Sequence, residues 1–196
     1  MYAEGKGVLA RGRVVQGFLK VGDKVVVLPI GDSAGVSRLE HVQQPPSDQP
    51  ERLSLAIAGD TVEFVLTGID PMRVSVGNLV VEPTGRPRVV QKAKAKLLVM
   101  EDLAIPIIRG AQVLFHMHSL DIPAVLTKLV ALTKRDGSVK KERPRALTGG
   151  ASAIVEFTLS DKIVLEPFQE CRALGRFVLR RGGDTIAVGV VDQLIS

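Results

Sequence analysis

Aromatic residues and cysteines are scarce in this chain of 196 residues. Tryptophan is absent, and the sequence has one tyrosine, six phenylalanines and a single cysteine, Cys171. One cysteine cannot form an internal disulfide, so nothing in the sequence requires an oxidising compartment. No apolar run approaches the roughly 18 to 20 residues that a membrane-spanning helix needs, and the first residues lack the apolar core of a signal peptide. These absences predict a soluble protein of the cytoplasm.

Motifs for nucleotide chemistry and for catalysis are also missing. The phosphate-binding pattern G-x-x-x-x-G-K-[ST] does not occur, so this stretch is expected neither to hydrolyse a nucleotide nor to bind a cofactor. Cys171 has no histidine in its local sequence that could activate it. His116 and His118 are two residues apart and would share one face of a strand, but two side chains do not complete a metal site. The sequence therefore predicts no catalytic residue and no metal site.

Short apolar runs rich in valine, isoleucine and leucine, separated by turn residues, dominate the first half of the chain. These runs are GVLARGRVVQG, VGDKVVVLPI, AGVSRLEHV, GDTVEFVLTGI and VGNLVVEP. Glycine and aspartate in KVGD (Lys20–Asp23) and AGD (Ala58–Asp60) stand where two strands must reverse. No run keeps a helical period. Several short strands with this spacing predict a β-sandwich or a β-barrel.

A second series of strands follows the segment PTGRPR, Pro83 to Arg88, whose proline and glycine residues predict a domain boundary. The series comprises KAKAKLLVM, GAQVLFHMH, PAVLTKLVALTK, ASAIVEFTL and KIVLEPF. The third of these runs could be a helix, but the Asp136-Gly137 pair after it favours a strand that ends in a hairpin. Only Phe168–Ala173 is predicted as a helical turn. Gln43–Glu51, rich in proline and polar residues, is predicted to be a mobile loop.

Basic residues outnumber acidic ones, 26 to 21, and one segment concentrates them. KRDGSVKKERPR, Lys134 to Arg145, carries six cations against two acids around a predicted turn, and we name it the basic finger. Such a segment suits phosphate contacts, and its lack of aromatic residues predicts that it would sense charge rather than base sequence. The alternative is a solvated hairpin that protects a sheet edge. The RNA-binding candidates in it are Lys134, Arg135, Lys140, Lys141 and Arg143.

The stretch LGRFVLRRGGDTIAVGVV, Leu174 to Val191, predicts a β-hairpin near the end of the chain. Apolar residues alternate on both sides of Gly182-Gly183, and two glycines can adopt the positive φ angles that a tight turn demands. Arg180 and Arg181 then place two guanidinium groups at the tip. The sequence therefore predicts a presented, cationic surface there.

Two groups of motifs together resemble a known family. The second domain of translational GTPases such as elongation factor Tu resembles three successive stretches of this chain: GRVVQGFLKVGDKVVVLP, AGDTVEFVLTGID and VSVGNLVV. The hairpin stretch resembles the closing hairpin of the third domain of those proteins. The resemblance covers nearly the whole chain. It implies an all-β fold of two antiparallel, six-stranded-type β-barrels, residues 3–86 and 89–196, the first without its first strand. In the family a GTP-binding domain with GTP and Mg precedes them, which would explain a strand pattern that begins abruptly at Val8.

Within this family, two stretches of the chain are most similar to the Hbs-like ribosome-rescue GTPase, which partners Pelota. They are IPAVLTKLVALTKRDGSVKKERPRALTGGASAIVEF and LEPFQECRALGRFVLRRGGDTIA. Elongation factor one-alpha would show C-H-T-A-H near His116 to His118, where this chain has HMHSLDIPA. Elongation factor one-alpha and release factor three stay as alternatives in the same family. The alternative from another class is a stand-alone RNA-binding β-barrel protein.

The resemblance implies a binding function without enzymatic activity in this stretch, whereas the parent protein would be a GTPase. The chain would be a monomeric platform in ribosome rescue and messenger-RNA surveillance that binds a Pelota-type cargo and the small-subunit ribosomal RNA, with no membrane or DNA partner. Part of the cargo-binding face would be formed by Arg180, Arg181, Gly182 and Gly183. Arg181 stands where the bacterial pattern commonly has an acid, which favours an acidic patch on a protein cargo. Arg13 and Lys20 are candidates for ribosomal RNA contacts in the first barrel.

Overall fold

The computed structural model describes residues 2–4, 7–42, 52–84, 87–134 and 136–195. Their regular structure is almost entirely β-strand, which confirms the all-β fold that the alternating apolar runs predicted. The chain divides into two compact units, Met1–Arg86 and Pro87–Ser196. The loop predicted at Gln43–Glu51 and the RNA-binding candidate Arg135 lie outside the described residues.

The first unit consists of short antiparallel strands. Its described strands are β1 (Tyr2–Glu4), β2 (Gly7–Arg13), β3 (Phe18–Lys20), β4 (Lys24–Leu28), β5 (Asp32–His41), β6 (Leu55–Ile57), β7 (Thr61–Thr67) and β8 (Leu79–Val81). Six of them form a sheet of order β1-β2-β7-β5-β4-β8, and β3 pairs separately with β6. Apolar side chains from several of these strands, among them Val25, Leu39 and Leu66, pack into one buried cluster.

A 3₁₀ turn at Pro71–Arg73 precedes β8 and was not predicted from the sequence. The side chain of Asp70 accepts a hydrogen bond from the amide of Met72 at 2.9 Å, which caps the start of the turn. Arg73 forms an ion pair with Asp32, with 2.7 Å between Nη1 and Oδ2. These contacts fix the loop that connects β7 with β8.

The second unit is a closed barrel. Its described strands are β9 (Val89–Val99), β10 (Ile107–Ile108), β11 (Gln112–Met117), β12 (Leu120–Thr133), β13 (Val139–Glu142), β14 (Ala146–Leu147), β15 (Ser152–Val164), β16 (Arg176–Arg181) and β17 (Asp184–Ile195). Six strands pair in the order β11-β16-β17-β9-β15-β12, and β11 pairs again with β12. This second pairing closes a six-stranded antiparallel barrel, as the resemblance implied. The edge strand β13 adds to β12 outside the ring, and β10 pairs with β14.

Three phenylalanine rings fill the middle of this barrel. Phe115 stacks on Phe177 with 4.6 Å between ring centroids, and Phe157 packs against both at 5.3 and 5.4 Å. They come from β11, β15 and β16, where inward and outward positions alternate as the period of a strand requires. Gly189 on β17 gives these rings room, because a Cβ atom there would lie 2.5 Å from Cζ of Phe177.

The structure differs from the sequence-based prediction in the segment after β15. The helical turn predicted at Phe168–Ala173 ends earlier than predicted, and a separate short helix, α1, spans Arg172–Gly175. The carbonyl oxygen of Pro167 accepts hydrogen bonds from the amides of Glu170 and Cys171 at 2.9 and 3.0 Å, which forms a single helical turn. Cys171 then has extended backbone angles, φ −140° and ψ 107°, so the turn cannot continue into the helix.

Candidate functional site

The hairpin tip between β16 and β17 is a two-residue turn. Gly182 and Gly183 have φ angles of 59° and 96°, and Arg181 pairs with Asp184 across the turn. Both angles lie in the region that residues with a Cβ rarely adopt, which explains the two consecutive glycines. The turn therefore has the conformation that the sequence predicted.

The two arginines at the tip are held by different carbonyl groups. Nη2 of Arg180 donates to the carbonyl oxygen of Gly183 at 2.9 Å, so this guanidinium folds back over its own turn. Nη1 of Arg181 donates to the carbonyl oxygen of Ile105 at 3.2 Å, in the loop that follows β9. Each side chain is half-buried. A guanidinium has five N–H donors, so each arginine keeps donors for a partner while its position is fixed.

The basic finger begins with a hydrogen-bonded turn at Asp136-Gly137, as predicted. The amide of Gly137 donates to the carbonyl oxygen of Lys134 at 3.0 Å, and the carboxylate of Asp136 accepts from the amide of Ser138 at 2.8 Å. The hydroxyl of Ser138 donates to the same carboxylate at 2.6 Å, and this bond, together with the bond from the amide, lowers the pKa of Asp136. The turn leads into β13, all four residues of which are exposed.

Within the finger, Lys140 and Lys141 are neighbours on a strand and so lie on opposite faces of β13. A single RNA backbone lying along one face would therefore meet one of these lysines more closely than the other. Arg143 follows β13 with a φ angle of 45°, and its amide donates to the carbonyl oxygen of Val130 at 2.9 Å. The finger is thus an ordered, two-sided hairpin rather than a single cationic face.

The hairpin tip and the turn of the finger lie at the same end of the second barrel. The tip adjoins the start of β17, and the start of β17 pairs antiparallel with the end of β9. The end of β9 also pairs with the start of β15. The start of β15 pairs in turn with the end of β12. The finger starts directly after β12. The fold therefore gathers two cationic segments about 45 residues apart in sequence on one rim, with β9 and β15 between them.

The two candidates in the first unit lie on different strands. Arg13 is the last residue of β2, where it pairs with Thr61, and it is exposed. Lys20 ends β3, where its Nζ lies 4.8 Å from the ring centroid of Phe18, a cation–π contact on the exposed face of the β3–β6 ribbon. The amide of Lys20 donates to Oδ2 of Asp23 at 2.8 Å, which closes the predicted KVGD turn.

The two histidines do not share a strand face, so that prediction was wrong. His116 lies on β11, but β11 ends at Met117, and His118 lies in the following turn with a φ angle of 55°. Nδ1 of His116 lies 2.6 Å from Oδ1 of Asp121, and Nε2 of His118 lies 2.7 Å from the carbonyl oxygen of Ala173. Each imidazole thus has its own partner, and no group of three or more metal-ligating side chains occurs among the described residues.

Sequence reasoning missed a groove of about 1030 Å³ on the outer face of the second barrel. Apolar and basic side chains line it, including Leu98, Val188, Arg172 and Arg176. One signal was present in the sequence. In KAKAKLLVM the lysines occupy outward positions, and the same alternation places Leu98 outward, where a polar residue is the norm.

Comparisons with known proteins agree with this fold. Residues 92–192 match the family model described as GTP-eEF1A C-terminal domain-like. Elongation factor 1-alpha of Cenarchaeum symbiosum is 30% identical over 97% of this chain and 42% of its own length. Protein HBS1 of Drosophila melanogaster is 35% identical over 97% of this chain and 27% of its own length. The chain thus spans less than half the length of these relatives.

Solved structures show the same fold. The crystal structure of sup35 complexed with GDP superposes on this chain with a TM-score of 0.88 at 24% sequence identity, covering 99% of this chain and 46% of that one. At such identity the match describes the fold alone. None of the helices described in this chain is long and apolar enough to cross a membrane.

Proposed function

The chain belongs to the family described as GTP-eEF1A C-terminal domain-like, and from this membership we propose that it is the cargo- and ribosome-binding part of a translational GTPase. We propose further that the parent protein rescues stalled ribosomes in messenger-RNA surveillance, with a Pelota-type protein as its cargo. The similarity to Protein HBS1 supports this assignment. So do the stretches from Ile122 to Phe157 and from Leu165 to Ala187, which resemble the Hbs-like factor.

The hairpin tip is the observation that carries the proposal. Arg180 and Arg181 are held by the carbonyl groups of Gly183 and Ile105, so a partner that meets them need not order two long side chains first. Arginine at both positions suits carboxylate groups, because a guanidinium binds a carboxylate through two parallel hydrogen bonds. The tip thus fits an acidic patch on a protein cargo.

The exposed cations outside the tip suit contacts with ribosomal RNA. Lys140 and Lys141 are exposed on the finger, and Arg13 and Lys20 are exposed in the first unit. Contacts of this kind neutralise phosphates without reading bases, and they weaken as salt rises. We therefore assign these residues to the small-subunit ribosomal RNA and the tip to the cargo.

Nucleotide chemistry belongs, in this proposal, to a GTP-binding domain of the parent protein, which would hold GTP and Mg. The described residues of this chain contribute binding surfaces, not a reacting group. Their task is to hold the cargo in a fixed position while the nucleotide-binding domain changes state. The proposed location of the parent protein is the cytoplasm, where ribosomes act.

Calorimetric titration tests the proposal. The chain is titrated at moderate salt with Pelota, with the class-one release factor and with aminoacyl-tRNA from the same organism. Binding to Pelota alone supports ribosome rescue. Binding to the release factor alone assigns the protein to termination, and binding to aminoacyl-tRNA alone assigns it to elongation. Salt-sensitive binding to any RNA, with no protein cargo bound, would instead support a stand-alone RNA-binding barrel.

A further inference from the structure

The floor of the outer groove consists of two rows of side chains that cross the strands of the second barrel. The strand register defines the first row directly, since each residue pairs with the next: Ser152, Leu98, Val188, Val178 and His116. Five neighbouring strands contribute to it, so the row is about 19 Å long at the usual strand spacing. Its three central members are apolar.

The second row lies one pleat away on the same outer face. It runs through Ile154, Lys96, Val190 and Arg176, again by direct pairing. Ile154 and Val190 extend the apolar floor, whereas Lys96 and Arg176 place cations beside it. Leu98 and Val188 are 51% and 38% exposed, so their apolar surface faces the solvent. Such a continuous apolar strip on the outside of a barrel marks an interaction surface rather than a solvated face.

Basic walls flank this floor. On one side, the hydrogen bond between His118 and the carbonyl oxygen of Ala173 joins the turn after β11 to α1, and Arg172 of α1 lines the groove there. On the other side, Lys134 and Gly137 come from the turn of the basic finger. The bond from the His118 side chain holds the first wall, and the backbone bond from the amide of Gly137 to the carbonyl oxygen of Lys134 holds the second, so the groove has a defined shape.

The charge of the groove is one-sided. Lys96, Lys134, Arg172 and Arg176 line it, and no aspartate or glutamate is among its described lining residues. Carboxylates near the lining have partners of their own: Asp192 bonds Lys96 at 3.0 Å, Asp121 contacts His116 at 2.6 Å, and Asp136 accepts from Ser138. Three cations are left to act on a ligand.

We propose that this groove binds an acidic protein segment that presents apolar side chains on one face. The apolar side chains would cover Leu98, Val188 and Val178, which removes apolar surface from water. Carboxylates at the edge of the segment would reach Arg172 and Arg176 and form bidentate hydrogen bonds. This surface is separate from the hairpin tip, and the inference does not depend on which cargo the tip binds.

A protein segment fits the groove better than RNA does. The phenylalanine of the lining, Phe177, is 4% exposed because it points into the barrel, so it offers no ring on which a base could stack. The imidazoles of His116 and His118 also line the groove, but Asp121 and the carbonyl oxygen of Ala173 already engage them. An apolar floor also gains nothing from a phosphate backbone. The combination of apolar floor and basic walls therefore matches alternating acidic and apolar side chains.

The probe is a fluorescein-labelled peptide of about eight residues with alternating glutamate and leucine, long enough when extended to cross the floor. Its binding to the chain is followed by fluorescence anisotropy at moderate salt. Two control peptides replace leucine by serine or glutamate by lysine, and a uridine oligonucleotide tests for RNA. We expect saturable binding of the glutamate–leucine peptide and at least about tenfold weaker binding of both control peptides.

Variants locate the binding on the chain. The double variant Arg172→Glu with Arg176→Glu removes cations from the edge of the groove. The double variant Leu98→Gln with Val188→Thr makes the floor polar. Each double variant should weaken binding at least about tenfold. Lys92→Glu with Lys162→Glu makes the same change of charge at two exposed positions outside the groove lining, and should leave binding within about twofold. Circular dichroism and the thermal midpoint establish that each variant is folded.

Three results would overturn the proposal. The first is a folded wild-type chain that does not bind the glutamate–leucine peptide up to about 1 mM. The second is equal weakening by the Lys92 and Lys162 pair, because binding would then follow overall charge. The third is an oligonucleotide that binds more tightly than the peptide and loses affinity in the Arg172 and Arg176 variant, which would make the groove an RNA site.

Discussion

The guanidinium of Arg181 donates from Nη1 to the carbonyl oxygen of Ile105, 3.2 Å away and 76 residues earlier in the chain. This bond ties the hairpin tip to the loop after β9, whereas Arg180 bonds Gly183 within its own turn. The alternation of β16 explains the difference. Arg181 shares the inward side of Phe177 and Leu179 at the end of the barrel, and Arg180 shares the outward side of Val178. The tip therefore carries two cations that different carbonyl groups hold.

Reversing the charge of the tip should weaken cargo binding. Arg180→Glu with Arg181→Glu is expected to cost about 1 to 3 kcal/mol of binding free energy to Pelota, since arginine side chains at the centre of an interface often contribute this much. The thermal midpoint should change little, because half-exposed side chains at the end of a hairpin add little stability. Calorimetry measures the first quantity and circular dichroism the second.

The matched control for the tip is Lys92→Glu with Lys162→Glu. Both lysines are exposed, and their strand positions place them at the other end of the second barrel from the tip. This pair makes the same change in net charge. An affinity for Pelota that falls equally in both double variants would show that the tip has no special role.

The salt dependence of RNA binding should depend on the finger. In Lys140→Glu with Lys141→Glu, the slope of log affinity against log salt for a single-stranded RNA should become shallower by about 0.7 for each lost phosphate contact. Because the two lysines lie on opposite faces of β13, one of the single variants Lys140→Gln and Lys141→Gln should account for most of the change. Filter binding over a range of salt concentrations measures the slope. An unaltered slope would leave the finger as a protected sheet edge.

Gly189 should be intolerant of a side chain. In Gly189→Ala the new methyl group would lie 2.5 Å from Phe177 and 2.6 Å from Leu97, inside the packed barrel. Overpacking of this kind costs about 1 to 3 kcal/mol of unfolding free energy. Gly12→Ala is the control, because a Cβ atom on that strand glycine meets its nearest neighbour, Phe64, at an ordinary 3.4 Å. Urea unfolding followed by circular dichroism compares the two, and equal midpoints would contradict the packing argument.

Glu40 should make the stability of the first unit depend on pH. Its carboxylate is 5% exposed and accepts hydrogen bonds of 2.8 Å from Nε and Nη2 of Arg38. These bonds hold the pKa of Glu40 below its ordinary value of 4.5. The ionised carboxylate therefore stabilises the fold above pH 4.5, and that stabilisation is lost as the pH falls further, through the lower pKa of the folded protein.

The variant Glu40→Gln tests this dependence. Urea midpoints at about pH 6 and about pH 3 should differ less in the variant than in the wild type, because the variant has no carboxylate to protonate. Glu170→Gln removes an exposed carboxylate in the other unit and serves as the control. If Glu40→Gln keeps the full pH dependence of the wild type, the pair with Arg38 is not its source.

Much of the local structure could be predicted from the sequence. The hairpin turn at Gly182-Gly183 follows from two residues that tolerate positive φ angles, and the strands follow from alternating apolar positions. The 3₁₀ turn at Pro71–Arg73 was missed although its signals were present: Asp70 as a capping residue and proline at the first position. Such signals act within a few residues, so a closer reading of the same stretch would have found it.

The strand at Ser152–Val164 shows where local prediction weakens. The sequence indicated two strands, ASAIVEFTL and KIVLEPF, but the structure has one, β15, whose register with β9 shifts between Thr158 and Ile163. The polar residues between the two apolar parts suggested a loop. They lie in a continuous strand because both ends pair with the same neighbour, and that pairing involves residues far away in the chain.

By itself the sequence determined the strand pattern, the tight turns and the presence of two cationic segments, because these depend on side-chain period and on backbone freedom within a few residues. Only the tertiary structure decided that β11 meets β12 to close the second barrel, that the hairpin tip and the finger lie on one rim, and that Leu98, Val188 and Val178 form one apolar row. Each of these depends on strand register, which pairs residues far apart in sequence and is fixed when the whole barrel closes around its core.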